Sequence, residues 1–161
     1  MTPDDSDAYL SWVVDDYARE LARNGRAPAG DARDRARASF DQLLPRGLQT
    51  PRQVLLVGED AGDGRRIGHL WFGPSEHDPG RAWLYDVTVE PQERGKGFGR
   101  ALMLAFEAEA RRRGYGRVGL NVFGDNEIAR TLYLSLGYQE ISRQLGKDLS
   151  SGDGSSAGGG R

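Results

Sequence analysis

The chain opens on a helical rhythm. Leu10, Val13, Val14, Tyr17 and Leu21 recur three and four residues apart, which predicts an amphipathic helix over residues 8–23, ended by Asn24 and Gly25. A second, more charged helix is predicted from about Asp31 to Leu44, with Ala36, Phe40, Leu43 and Leu44 on its inner side; Pro45 and Gly47 stop it. The period then changes. "QVLLVGE", "RIGHLWFG" and "RAWLYDVTVEP" are short, rich in valine, leucine and aromatics, and separated by "DAGDG" and "PSEHDPG", the signature of an antiparallel meander.

The helical rhythm returns in "RALMLAFEAEARRRG", with Leu102, Ala105, Phe106 and Glu109 as its row and Gly114 closing it. "RVGLNVF" is predicted as a further strand and "DNEIARTLYLSLG" as a helix capped by Asp125 or Asn126 and ended by Gly137. "YQEISRQLGKDL" is predicted as a last strand. The order is helix, helix, three strands, helix, strand, helix, strand, which makes an α+β protein with a mixed sheet. No internal repeat is visible. Residues 150–161, "SSGDGSSAGGGR", offer almost nothing to bury and are expected to be a disordered tail behind one domain at 1–149.

Composition narrows the class. The 161 residues suffice for one self-sufficient core, and the absence of cysteine leaves no disulfide framework or cysteine metal site. The first residues are acidic where a signal peptide needs basic ones, and no stretch approaches the roughly 18 apolar residues of a membrane helix. A soluble, cytoplasmic protein is expected, with no membrane partner. Lys and Arg number 22 against 24 Asp and Glu, so bulk charge does not favour nucleic acid. Residues 91–117 depart from that balance, with seven basic positions against three acidic, and an anion is expected there.

Within that basic stretch, residues 92–100 read "QERGKGFGR". A Walker loop would follow Gly-Lys with a hydroxyl, but Gly97 and Phe98 follow here; a dinucleotide fingerprint needs G-x-G-x-x-G in a parallel unit, and Gly95, Gly97 and Gly99 are spaced otherwise. What remains is a strand, a glycine turn and a helix whose unpaired N–H groups point back at the turn. Such a turn can cradle a diphosphate, with Arg94, Lys96 and Arg100 adding charge, or can be a plain turn with solvated bases.

"VTVEPQERGKGFGRALM", followed by "NVFGDNEIARTLYLSLGYQE", resembles the GNAT superfamily of acyl-CoA N-acyltransferases. Gln92, Gly95 and Gly97 meet that family's Q/R-x-x-G-x-G/A signature, and Asn126, Ala129, Leu132, Tyr133, Gly137 and Tyr138 meet its downstream N-x-x-A-x-x-L-Y-x-x-x-G-F/Y pattern. The resemblance implies a GNAT fold, with a mostly antiparallel central sheet flanked by about four helices and splayed between the strand ending at Glu90 and the strand at 117–123. It implies acetyl-CoA as co-substrate, its pyrophosphate on Arg94, Gly95, Lys96, Gly97, Phe98, Gly99 and Arg100. The pantetheine arm would pair with the strand edge at Val87, Thr88 and Val89 and meet Asn126. One departure is visible: family members commonly open with a strand, and "MTPDD" stands where that strand should already have ended. The first edge strand is either absent or lies before Met1.

Acetyl transfer to an amine needs a neutral amine, a polarised carbonyl and a stabilised thiolate. A backbone N–H near Val87 or Thr88 is expected to polarise the carbonyl. Tyr133, with a reference pKa of about 10 above a thiol's roughly 8.5, is suited to donate to the thiolate; its alternative is packing on the face of Ala129 and Leu136. Asp86 is the acid inside the central strand and the candidate base, or else a carboxylate on the wet face or beside an arginine. Neither His69 nor His77 has a metal-ligand partner at useful spacing, and no metal is expected. Trp71, Phe72, Trp83 and Tyr85 read as core or as the lining of an acceptor pocket. The expected activity is an acetyl-CoA dependent N-acetyltransferase using direct attack in a ternary complex, on a small-molecule or peptide amine, as monomer or homodimer. A non-catalytic acyl-CoA binding or sensing module is the alternative.

Overall fold

A computed structural model describes residues 1, 3–147 and 149, with side chains from Tyr9 onward and that of Met1. The expected 150–161 tail lies outside the described residues. Four helices and four strands follow in the order α1 (Pro3–Arg23), α2 (Ala32–Leu43), β1 (Val54–Glu59), β2 (Arg66–Pro74), β3 (Arg81–Val89), α3 (Phe98–Arg112), β4 (Arg117–Leu120) and α4 (Glu127–Ser135). The sheet runs β1-β2-β3-β4, antiparallel except for the parallel β3–β4 pair. The mixed, mostly antiparallel sheet with four helices is the fold the motifs implied.

Each face of the sheet has its own core. On one face Leu55 and Trp71 meet Val13, Val14, Leu21, Ala36 and Phe40 of α1 and α2. On the other, Leu70, Phe72 and Leu84 meet Leu102, Met103, Phe106 and Ala110 of α3, and Leu132, Tyr133 and Leu136 of α4 pack against the same cluster. Met103 and Phe106 are fully buried, each stabilising the fold by about 1.5–3 kcal/mol. The inward row of α3 therefore runs through Met103 and Ala110, where Ala105 and Glu109 were expected; Ala105 is exposed, and Glu109 binds Arg112 and Arg113 at 2.7 Å.

Two expected strands are corrected. The strand placed at 117–123 ends at Leu120, because its partner β3 pairs with it only as far as Leu84. The last strand, placed at 138–149, is not formed among the described residues: residues 138–147 have no regular structure, and Ile141 and Leu145 are 82 % and 92 % exposed. A strand holds by burying alternate residues, whereas here the apolar positions Tyr138, Ile141 and Leu145 are three and four apart and Glu140 is drawn to Arg130 and Arg143 at 2.5 and 2.6 Å. Among the described residues no strand precedes α1, β1 is an edge, and no helix is long and apolar enough to cross a membrane.

Candidate active site

The sheet opens between β3 and β4. Pairing stops at Leu84 and Leu120, yet β3 continues five residues to Val89, with β2 alongside on its other edge as partner of Val87, Thr88 and Val89. This is the splay expected between the two strands, and it leaves one edge of β3 beyond Leu84 without a strand partner among the described residues.

A bulge decides what that stretch presents. The β2–β3 register shifts between Trp71, opposite Asp86, and Phe72, opposite Leu84, so Tyr85 is the extra residue. Tyr85 stacks on Trp71 at 4.7 Å, while Asp86, opposite the same tryptophan, also turns toward α1. There Tyr9 donates its hydroxyl to Asp86 Oδ2 at 2.9 Å, and Thr88 Oγ1 donates to Asp86 Oδ1 at 3.3 Å. Among the described contacts Asp86 is half-buried and held by two hydroxyls, with no arginine against it. Burial raises its pKa from 3.8 to about 6; the two hydroxyls hold it down, and the charges of Asp16 and Glu20 push it further up. Glu20 is itself raised, first by burial, and its neighbour Arg23 reaches Asp125 at 2.8 Å, joining the end of α1 to the start of α4.

Tyr133, half-buried on α4, is pushed up to about 12 by burial, with the charges of Asp86 and Glu20 acting in the same direction. The phenol and the two carboxylates thus share one electrostatic neighbourhood. Asn126 is the cap of α4, its Oδ1 accepting from the Ala129 N–H at 3.1 Å, and among the described contacts its amide nitrogen has no partner. His69 lies edge-on to Tyr9 and Trp12 at 4.7 and 5.4 Å, lowered from its ordinary pKa by burial, and His77 is exposed. Trp71 and Phe72 divide between the two cores, so the four aromatics are not one cluster.

At the end of β3 the chain passes through a short turn, Pro91–Glu93, into the glycine stretch. Gly95 and Gly97 have φ of 75° and 86°, the left-handed region, and a Cβ at either would meet nothing within 4 Å. Gly99 serves closeness instead: a Cβ there would stand 3.3 Å from Leu132. No side chain caps α3, whose first N–H groups face this open turn. The bases around it are held by internal partners: Lys96 Nζ reaches Glu93 at 3.1 Å, Arg94 Nε donates to the Val89 carbonyl at 3.2 Å, and Arg100 Nη2 donates to Ser135 Oγ at 2.6 Å. Glu93, 3 % exposed, also takes Arg65 at 3.0 Å and anchors the turn from below. An uncapped helix start, an unobstructed glycine backbone and three bases fit a diphosphate.

A groove of about 1750 Å³ is lined by Leu120, Phe123, Tyr133, Ile141 and Leu145 among others, but neither Asp86 nor the glycine turn lines it. Tyr133 is the candidate residue that reaches this groove, while Asp86 and the glycine turn lie along β3 at the splay. Among the described residues no group of three or more histidine, aspartate or glutamate side chains is placed to hold a metal. Sequence reasoning missed Tyr9, Glu93 and Ser135. Tyr9 stands four residues before Val13 on the buried stripe, where a tyrosine reads as core, and its partner is 77 residues away.

The splayed sheet, the glycine turn and the tyrosine-bearing α4 define an acetyltransferase fold. Residues 13–138 match the acetyltransferase (GNAT) family, and the chain belongs to it. It is 33 % identical over 147 residues to the uncharacterized N-acetyltransferase YycN of Bacillus subtilis, covering 88 % of this chain and 91 % of the relative. The crystal structure of YycN superposes with a TM-score of 0.86 at 31 % identity, over 92 % of this chain and 95 % of that one. The mycothiol acetyltransferase of Rhodococcus erythropolis is 32 % identical over 107 residues, 65 % of this chain and 36 % of that protein.

Proposed function

We propose that the protein, through a domain spanning residues 1–149, transfers the acetyl group of acetyl-CoA to a primary amine that attacks directly within a ternary complex. The observation that carries this is the departure of β3 from β4 after Leu84, which opens the strand edge beside a half-buried carboxylate at Asp86 and leads into the glycine turn. Acetyl-CoA supplies a thioester, so the transfer forms a C–N bond, breaks the C–S bond and releases the coenzyme thiol.

Residues 94–100 hold the pyrophosphate: Gly95 and Gly97 expose backbone, Phe98 and Gly99 begin the helix, and Arg94, Lys96 and Arg100 exchange their internal partners for phosphate oxygens. The open edge at Val87, Thr88 and Val89 pairs with the pantetheine amides as a strand would, and the Asn126 amide nitrogen adds a contact. A backbone N–H at Val87 or Thr88 polarises the thioester carbonyl. Asp86, at about 6, is ionised at neutral pH and takes the proton that the amine nitrogen sheds as its bond to the carbonyl carbon forms and makes it acidic. Tyr133, protonated throughout that range, donates to the departing thiolate. The likeness to a mycothiol acetyltransferase supports a small-molecule acceptor.

The test is release of coenzyme thiol from acetyl-CoA with a panel of amino sugars, polyamines, aminoglycosides and peptides. Amine-dependent release that Asp86→Asn lowers at least tenfold is expected. Tight acetyl-CoA binding without release across the panel would make the protein a binding module instead.

A further inference from the structure

Tyr9 is the one side chain of α1 seen to reach across to β3 and touch the proposed base among the described hydrogen bonds. It is 5 % exposed, its ring packs in the core with Val13 and lies edge-on to His69 at 4.7 Å, and its hydroxyl ends on Asp86 Oδ2 at 2.9 Å. Packing alone asks only for the ring. The hydroxyl is a buried donor spent on a carboxylate, and its geometry leaves Oδ1, whose only described contact is the long 3.3 Å one from Thr88, as the less engaged oxygen.

We infer that Tyr9 is a positioning residue: from α1, its hydroxyl fixes the Asp86 carboxylate at Oδ2 and leaves Oδ1 as the oxygen that takes the amine's proton. The inference rests on the reading of Asp86 as base. A carboxylate in a strand can rotate about χ1 and χ2. Held at Oδ2 by a phenol that is itself locked between His69 and the core, it presents one oxygen in one direction. The groups that act on Asp86 are Tyr9, Asp16 and Glu20 from α1, Thr88 from its own strand and Tyr133 from α4; His69 stands behind the Tyr9 ring, its pKa lowered by burial. The two hydroxyls favour the ionised form and burial with the two acids opposes it. Deleting one hydroxyl therefore moves the carboxyl's titration upward.

Tyr9→Phe keeps the ring and removes the donor. The proposal expects the Asp86 carboxyl, followed by ¹³C NMR in the ligand-free protein, to titrate about one pH unit higher, and the acidic limb of kcat/KM to move with it. Rate at the optimum falls about tenfold while KM for acetyl-CoA stays within about twofold. In the Asp86→Asn background, Tyr9→Phe changes turnover less than about twofold, since the two residues act as one unit. A further tenfold loss in that background shows that Tyr9 is structural and overturns the inference; so does an Asp86 titration unmoved by Tyr9→Phe while Asp86→Asn is inactive. If Asp86→Asn retains the wild-type rate, the base reading fails and the catalytic role of Tyr9 falls with it. An NMR shift in Tyr9→Phe without any change in the acidic limb, with Asp86→Asn inactive, likewise overturns the positioning role.

Discussion

Arg100, in the first turn of α3, donates from Nη2 to Ser135 Oγ at the end of α4 at 2.6 Å, and Ser135 Oγ in turn donates to the Leu132 carbonyl at 2.7 Å. The contact ties together the two helices that cover one face of the sheet, and it leaves the guanidinium proposed to bind phosphate on a neutral partner. A neutral hydroxyl competes poorly with a phosphate for a guanidinium. Arg100→Ala is therefore expected to weaken acetyl-CoA binding about threefold to tenfold, and Ser135→Ala to leave it unchanged or tighter. Titration calorimetry at low salt checks both; equal weakening by the two variants would make the pair a helix tie and nothing more.

Gly97 tests the cradle from the backbone side. Its φ of 86° suits glycine, and the space a Cβ would enter is open in the ligand-free chain. Gly97→Ala carries a strain of about 1 kcal/mol without a charge, whereas Gly97→Asp adds a like charge beside the phosphates. The expected order is wild type tightest, then Ala, then Asp, with Asp losing more than about tenfold in Kd. Unchanged affinity in Gly97→Asp sinks the assignment of this turn to the pyrophosphate.

Asp86 makes stability and activity oppose each other. Its pKa in the folded chain is raised from 3.8 to about 6, so the folded state holds a proton that the unfolded state releases between those values. The contribution of this group to stability is complete below about pH 4 and is lost as pH rises through about 6. Asp86→Asn is accordingly expected to be more stable than the wild type by about 1–3 kcal/mol at pH 7.5 and to lose that advantage at pH 4. Urea unfolding at the two pH values measures it, and an Asn variant no more stable at pH 7.5 contradicts a desolvated carboxylate. Activity runs the other way: the base must be ionised, so kcat/KM falls as pH drops below about 6.

What the sequence disclosed follows the range of the forces involved. The stripe of Val13, Val14 and Leu21 and the turn at Gly95 and Gly97 are local devices, fixed by spacing and by φ, and both stand where spacing put them. The face taken by Asp86 was unreadable because a bulge at Tyr85 breaks the alternation that would have reported it. The strand expected at 138–149 failed for a similar reason: its valine-poor, charge-rich run gains order only from a partner edge, and Glu140 finds Arg130 and Arg143 first. The Tyr9–Asp86 contact, bridging a helix and a strand far apart in the chain, has no local signature at all. The end of α3 before Gly114 was legible too, and there Arg112 and Arg113 close on Glu109.

Tyr133 carries the last test. Its phenol is pushed up to about 12, so it remains a donor across the whole range in which Asp86 is ionised, and the pH profile should show no alkaline limb from Tyr133 below about pH 10. Tyr133→Phe preserves the ring that packs in the core with Leu132 and Leu136 and removes the proton. If the hydroxyl serves the leaving thiolate, kcat falls about tenfold to a hundredfold while the Kd of acetyl-CoA stays within about twofold, because the hydrogen bond strengthens only as charge develops on sulfur. A thioester with a more acidic thiol needs less help in leaving, so the deficit of Tyr133→Phe should shrink with such a donor. A deficit independent of the leaving group would assign the tyrosine to packing and leave the thiolate to solvent.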